Sequence, residues 1–191
     1  EREADLAIAT FGRALWILDD IRPLRKLASA DSFNKTIQIL SAPDATQPSY
    51  RNAPGYEWST WGIWDAPNRP RGASVSYFIQ PSPKDSARKG KDSLRVQIFN
   101  ERNEAVRTLK WKADSGFNRR YWGMEGKGYR MPGSPKPRPD APEPGGQPVM
   151  PGRYKIVMDY LGARDSAFIQ VSGDPRLGNR TDVRMAQEQL R

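Results

Sequence analysis

The sequence predicts an all-β protein whose main unit is an antiparallel β-sandwich of about seven strands within residues 73–171. The clearest strand pattern is residues 94–99, where apolar and polar residues alternate before a turn at residues 100–103. Residues 106–111 follow as the hairpin partner of that strand. A further strand begins after Pro151-Gly152, which fits the centre of a turn with Gly152 at positive φ, and its Tyr154, Ile156 and Met158 share one face.

Composition excludes several classes of site. The chain has 191 residues, enough to bury a core without cross-links. It contains no cysteine and no histidine, which excludes disulfides, thiolate metal sites and histidine-based catalytic triads. No metal site and no cofactor is therefore expected. The absence of cysteine does not fix the cellular compartment.

The charge pattern indicates a generally basic surface. The net charge is +9, which would suit a nucleic-acid partner if the cations were clustered. In the sequence they are interspersed with acidic residues, and the densest group, residues 84–91, has the composition of a solvated loop. General surface charge is therefore favoured over nucleic-acid binding. No apolar run of about 18 residues is present, so no membrane span is expected.

The N-terminal region predicts a β-hairpin. Residues 5–10 and 13–18 are strand-like and are separated by Phe11-Gly12, a spacing typical of a tight turn. Ala7 and Ala9 make one side small. Leu6, Ile8, Leu15 and Ile17 are the predicted interface residues, because their apolar surface requires a covering partner. The pattern fits an inner pair of strands in a β-propeller blade, and an ordinary sandwich hairpin remains the alternative.

A family resemblance rests on four stretches. Residues 5–24 resemble the end of the last blade in bacterial sialidase-like BNR-repeat proteins related to the VPS10 (sortilin) propellers, although Phe11 stands where the family usually has histidine. The other stretches are Pro70-Arg71-Gly72-Ala73, residues 116–122 with Trp122 expected in the core, and Asp174-Pro175-Arg176. The resemblance implies that the sandwich is immunoglobulin-like and that the protein is exported from a bacterial cytoplasm to the periplasm, the cell surface or the medium.

Pattern and resemblance together divide the chain. Residues 1–20 are the end of the last blade, and residues 21–72 are a connector with a short helix capped by Asp20. The sandwich covers residues 73–174 and includes a Pro-rich insertion, residues 123–150, that is expected to lack strands. Residues 175–191 begin a helical extension. Since the chain starts at Glu1 and ends abruptly, we expect it to be a processed product or part of a longer protein.

An aromatic group within the connector has two interpretations. Tyr56, Trp58, Trp61 and Trp64 stand among Gly and Pro residues. On exposed loops their rings would form a stacking platform for sugars, whereas buried rings would anchor a loop-rich segment. Solvent exposure of the rings distinguishes these alternatives.

The sequence carries no diagnostic catalytic pattern. Glycoside hydrolysis needs two positioned carboxylates, and the spacing of Asp19, Asp20 and Glu125 indicates no such pair; Asp65 lies among the tryptophans. The chemistry of the resembling family would sit in the propeller, of which this sequence carries one hairpin. We therefore predict a non-catalytic C-terminal module that makes protein contacts with a propeller, in the same protein or a separate chain. The alternative is a carbohydrate-binding module attached to a glycoside hydrolase, with glycan as its partner.

Overall fold

The computed structural model describes residues 4–12, 15–29, 34–49, 70–81, 93–130, 133 and 141–177. Of these residues 56% lie in strands and 7% in helical turns, which confirms the all-β class. The strands are β1 (Leu6–Ala9), β2 (Leu15–Leu18), β3 (Ile37–Ser41), β4 (Ala45–Gln47), β5 (Ala73–Ile79), β6 (Ser93–Phe99), β7 (Ala105–Lys112), β8 (Gly116–Trp122), β9 (Glu125–Lys127), β10 (Gly145–Pro148), β11 (Gly152–Tyr160) and β12 (Ala163–Gly173). A helix α1 (Arg22–Leu27) and a 3-10 turn (Pro175–Leu177) complete the elements.

Two sheets form the sandwich. One has five strands in the order β4-β12-β11-β6-β7, and the other has three in the order β3-β5-β8. Their pairs are antiparallel except β4 with β12, which is parallel. Two separate hairpins, β1-β2 and β9-β10, stand beside them.

The core lies between the two sheets. Alternate residues of β6 and β11, among them Val96 and Ile156, are fully buried and belong to one apolar cluster with Val75 and Tyr77 of β5. Burying each such aliphatic side chain contributes about 1.5–3 kcal/mol. Because a single cluster joins residues of both sheets, the predicted sandwich is present.

Trp122 fixes the end of β8 within this core. Its side chain is 1% exposed, its Nε1 donates to the Glu125 carbonyl at 2.9 Å, and its ring meets Tyr154 edge-on with centroids 5.3 Å apart. Gly72 lies against the same residue at φ +113°, and a Cβ there would come within 2.4 Å of the Trp122 carbonyl oxygen. Only glycine fits that approach. The Gly72-Ala73 step is thus a packing requirement of the core tryptophan.

The segment predicted as a connector supplies a strand to each sheet. β3 pairs with β5 and buries Ile37 and Ile39, while β4 runs parallel to the end of β12. The Ile39 N–H also donates to Asp165 on β12 at 2.6 Å, which joins the edges of the two sheets. The sandwich therefore begins before Ala73. β4 is too short for alternation to reveal it.

The Pro-rich insertion contains two strands at its ends, so the prediction that it lacks strands is wrong there. β9 and β10 pair with each other, and Arg107 of β7 holds them in place. Arg107 is 6% exposed; its guanidinium donates to the carbonyls of Gly126 (2.8 Å) and Glu143 (3.2 Å) and lies 3.1 Å from the Glu125 carboxylate. Proline is compatible with short edge strands such as these, because an edge strand leaves some backbone N–H positions without a ladder partner. Residues 134–140 lie outside the described residues.

Three smaller predictions are corrected or left open. Gly152 is the first residue of β11 and does not have a positive φ. The left-handed residues next to β11 are Leu161 and Gly162, in the turn at its other end, between β11 and β12. Ile21 occupies the N-cap position of α1 and makes no side-chain cap bond, and Asp20 precedes it; the Asp20 carboxylate still accepts a bond from the first N–H of the helix, that of Arg22, at 3.3 Å. The predicted helix at residues 181–191 lies outside the described residues. In the described ranges, no helix has the length and apolar character needed to cross a membrane.

Candidate interaction surface

The N-terminal hairpin β1-β2 presents its apolar side chains to solvent. Every residue of both strands is exposed. The predicted interface residues are exposed by 42% to 67% of their surface: Leu6, Ile8, Leu15 and Ile17. These side chains are therefore available for contact.

The register of the hairpin divides these residues between two faces. Leu6 lies opposite Leu18 and Ile8 opposite Trp16. Directly opposed residues share a face, so Leu6, Ile8, Trp16 and Leu18 form one surface, here called the large face. The other surface, here called the mixed face, carries Ala7, Ala9, Leu15 and Ile17.

The turn explains this division. A two-residue turn at Phe11-Gly12 would place Leu15 opposite Ile8, whereas the observed partner of Leu15 is Ala9. A shift of one residue in register moves every side chain of a strand to the opposite face. The predicted tight turn is therefore wrong. The predicted register would have placed Trp16 opposite Ala7, so Trp16 was not among the predicted interface residues. In the structure Trp16 lies on the large face and is 66% exposed.

Arg119 of β8 holds the base of the hairpin on the sandwich. Its Nη1 donates to the Asp19 carbonyl at 2.9 Å, its Nη2 to the Asp20 carbonyl at 3.0 Å, and its Nε to Ser76 Oγ at 3.0 Å. A planar guanidinium suits this arrangement because its donors point in fixed directions. The arginine of the segment 116–122 thus joins the hairpin to β5 and β8.

Asp20 completes this junction. It is buried and has a left-handed backbone with φ 49°. Its N–H donates to the Asp5 carboxylate at 2.8 Å, and its own carboxylate accepts bonds from Ser41 Oγ at 3.1 Å and from the Arg22 backbone N–H at 3.3 Å. The carboxylate is thus engaged in fixing the chain between β2 and α1. We interpret Asp20 as a structural residue.

Asp174 plays a comparable part at the C-terminal end of β12. Its carboxylate accepts bonds from the Arg176 side chain at 2.6 and 2.9 Å and from the Ser49 N–H at 2.8 Å. The hydrogen bond from Arg176 and the backbone donors Ser49 and Arg176 hold the pKa of Asp174 well below its usual range. The Asp174-Pro175-Arg176 stretch therefore ties the end of β12 to the chain leaving β4.

Of the remaining candidate carboxylates, the structure describes Asp19 and Glu125. Glu125 pairs with Arg107, on the other hairpin of the molecule from Asp19 and Asp20. Asp65 and the aromatic residues Tyr56, Trp58, Trp61 and Trp64 lie outside the described residues. Among the residues that are described, no group of three or more acidic side chains could hold a metal ion. Burial raises the pKa of Tyr77, an effect that Arg120 partly offsets.

Two open clefts flank the sandwich. One of about 320 Å³ lies at the hairpin junction and includes Asp20, Arg22, Asp44 and Arg119. A second, of about 590 Å³, lies between the β6-β7 turn and the β9-β10 hairpin. The first cleft places charged groups next to the exposed hairpin.

Comparison with known proteins gives little guidance. No family model matches the chain, and no curated protein matches it. One solved structure that resembles part of the chain is dimeric latent PorU from Porphyromonas gingivalis, with 18% identity and a TM-score of 0.34; the alignment covers 56% of this chain and 9% of PorU. A TM-score of this size does not establish a shared fold. No family model supports the resemblance to BNR-repeat and VPS10 propellers, which stays a prediction.

Proposed function

We propose that this chain is a non-catalytic accessory module at the C-terminal end of an exported bacterial β-propeller protein, and that hairpin β1-β2 completes the last blade of that propeller. The observation that carries the proposal is the hairpin, whose two strands are exposed throughout and bear large apolar residues on both faces. Blades of a propeller pack face to face, so their inner strands are covered on both sides. The hairpin has the side chains for such a position.

The junction supports the same proposal. A two-stranded hairpin is marginally stable alone, and its outer edges invite a partner strand. Arg119 and Asp20 nevertheless fix its base to the sandwich. A partner that covers the hairpin would therefore receive the sandwich in a defined orientation, which suits a module that mediates contacts within a larger assembly. We also propose that the sandwich is immunoglobulin-like. Its two sheets and the buried Trp122 support this assignment.

Site-specific photo-crosslinking in the native cells tests the partner. A photoreactive residue at Trp16 is expected to capture peptides with repeated blade motifs, from the same protein or a separate chain. The same residue at Tyr129, which is exposed near the β9-β10 hairpin, is the control and should not capture them. Crosslinks from position 16 that reach only the chain's own sandwich would contradict the proposal.

Light scattering after size-exclusion chromatography tests the surface in solution. The chain alone is expected to self-associate through the hairpin, since several exposed apolar residues form a cohesive patch. The variant W16S/L18S should be monomeric with an unchanged unfolding midpoint. A wild-type monomer whose hairpin amides and side chains are protected by its own sandwich would refute the proposal.

The alternative function is a carbohydrate-binding module that uses Tyr56, Trp58, Trp61 and Trp64. Each well-placed ring should contribute roughly 0.5–1.5 kcal/mol by analogy with aromatic pairs. The double variant W61A/W64A is then expected to lose retention on insoluble polysaccharide, while W16S/L18S retains it. Equal retention of W61A/W64A and wild type, with both proteins folded, excludes this alternative.

A further inference from the structure

The outer face of the five-stranded sheet points away from the core. In β6, β7, β11 and β12 the inward residues alternate with outward ones, and the pairing aligns the outward residues in rows across the sheet. The positively charged members of this outer face are Arg95, Lys110, Lys112, Arg153, Lys155 and Arg164. Among the paired outward residues of these four strands, Asp159 is the only carboxylate.

Ion pairs neutralise part of this charge and leave the rest. Arg164 lies 2.5 Å from Asp159, and Lys112 lies 2.6 Å from Asp114. Within the described part of the chain, the side chains of Arg95, Arg153 and Lys155 form no ion pair with a carboxylate. The Glu101 carboxylate lies at the Arg153 end of the face, where it accepts a hydrogen bond from the Arg153 backbone N–H at 3.0 Å. The outer face therefore keeps unneutralised positive charge on β6 and β11.

The cations of the outer face lie in two groups along the strands, with a neutral row between them. Arg153 and Lys155 lie at one end of the face, and the row Arg164-Asp159-Arg95-Lys110 crosses the other end. Between them runs a neutral row whose outward groups include the hydroxyls of Ser166 and Thr108 and the amide of Gln97. Four residues along a strand separate the two charged rows by roughly 13 Å. The face thus offers anion-binding groups on both sides of hydroxyl-binding groups.

An aromatic contact narrows the choice of ligand. The Arg153 guanidinium lies over the Phe168 ring, 4.0 Å from its centroid. One side of that ring is therefore covered, whereas single-stranded nucleic acids rely on aromatic faces open to their bases. A stacked guanidinium still presents its edge donors to carboxylate or sulfate oxygens. Positive charge together with an aromatic ring that has one side occupied by Arg153 favours an acidic sugar polymer over a single-stranded nucleic acid.

We infer that the outer face of the five-stranded sheet binds an acidic polysaccharide, a polymer of uronate or sulfated sugars lying across β6, β11 and β12. Its acidic groups bind at Arg95, Arg153 and Lys155, and its hydroxyls bind in the neutral row. The cations are scattered in the sequence because they occupy alternate positions of separate strands. Pairing in the sheet collects them on one surface, which the linear sequence does not show.

The test measures binding of the full chain to soluble polygalacturonate, heparin, neutral dextran and single-stranded DNA at one ionic strength. The variant R95Q/K155Q removes two outward charges. R25Q/K35Q removes two exposed charges on α1 and the segment before β3, and R95K/K155R keeps the charge of the face. Thermal unfolding of each variant accompanies the measurement.

We expect polygalacturonate or heparin to bind and dextran not to bind. R95Q/K155Q should weaken binding by about tenfold, because it removes two charge-assisted contacts, while R25Q/K35Q and R95K/K155R should stay within about twofold of wild type. Equal losses in R95Q/K155Q and R25Q/K35Q would overturn the inference, as would absence of binding to both acidic polymers. Tighter binding of single-stranded DNA than of either polysaccharide would overturn the choice of ligand. If R95Q/K155Q unfolds, R95K/K155R decides the point, because weakened binding there in a folded protein also contradicts the inference.

Discussion

The sandwich and the N-terminal hairpin are built from similar apolar strands, but only one of them is covered. Trp122 at the end of β8 is 1% exposed, whereas Trp16 on β2 is 66% exposed. In the sandwich a second sheet faces each apolar row, and in the hairpin both faces meet solvent within the described structure.

This contrast shows what an apolar strand pattern does and does not imply. Alternation predicts which side chains share a face, because successive residues of a strand point to opposite sides. It does not predict what covers that face. The sandwich supplies its own cover, while the hairpin is fixed at its base by Arg119 and left open beyond it.

The largest expected effect separates the two tryptophans. Trp122→Ala removes a fully buried ring and its bond to Glu125, and should lower the free energy of unfolding by about 3–5 kcal/mol. Trp16→Ala should change it by no more than about 0.5 kcal/mol, because the ring is largely in solvent. Urea unfolding monitored by circular dichroism gives both values. A comparable loss in Trp16→Ala would mean that the hairpin is part of the folded core.

The junction should show an intermediate effect. Arg119→Ala removes the donors to the carbonyls of Asp19 and Asp20, and should lower the free energy of unfolding by about 1–3 kcal/mol, since partly buried acceptors lose their partner. Its neighbour Arg120 makes a half-exposed contact with Asp114 at 3.4 Å and lies near the Tyr77 hydroxyl, so Arg120→Ala should cost less, about 1 kcal/mol. Hydrogen exchange should quicken around residues 19–22 only in Arg119→Ala. Unchanged exchange there would contradict the anchoring role.

The C-terminal end of β12, which Asp174 holds, should respond to acid. Arg176 and two backbone donors lower the folded-state pKa of Asp174 below its unfolded value of about 3.9. The resulting stabilisation is complete above that value and is lost as the pH falls through the lower folded-state pKa. Asp174→Asn should therefore be less stable than wild type at neutral pH, with a difference that narrows below about pH 4.

Urea titrations across that pH range measure this difference. Asp44→Asn is the control, because Asp44 is an exposed carboxylate that accepts one bond, from the Gln170 N–H at 3.2 Å. Its effect should be smaller and should vary less with pH. A difference between Asp174→Asn and wild type that stays constant down to the lowest pH would contradict the assigned role of Arg176.

Local pattern was sufficient for much of the sandwich. The alternation of β6 and β11 followed from the sequence, because it depends on residues close together in the chain. The burial of Trp122 was expected from the family resemblance, and it depends on contacts with the distant Gly72 and Tyr154. β4 did not follow, because three residues carry no period and its partner β12 lies more than a hundred residues away. The pair β9-β10 was not predicted, because the proline content of residues 123–150 argued against strands. In the structure this pair is held by the buried Arg107. Such pairings are set by tertiary contacts.

The candidate surfaces divide in the same way. The apolar character of Leu6, Ile8, Leu15 and Ile17 was evident in the sequence, and the structure places all of them at the surface. Their grouping depends on a register that the turn residues did not reveal. The basic outer face of the five-stranded sheet was likewise hidden, since its cations come together only when separate strands pair.

The smallest energetic effect gives the sharpest test of the hairpin. A cross-strand pair contributes only about 0.2–1 kcal/mol, so its register is better read from chemistry than from stability. The chain has no cysteine, so within one molecule two introduced thiols can pair only with each other. In I8C/W16C the two residues are directly opposed, and an antiparallel pair has a Cα separation of about 4.5–5.5 Å, within the range for a disulfide. I8C/L15C is the matched control, because its side chains lie on opposite faces.

Mild oxidation followed by mass spectrometry should give an intramolecular disulfide in I8C/W16C and little in I8C/L15C. The reverse result would restore the tight turn at Phe11-Gly12 and return Leu15 to the face of Ile8.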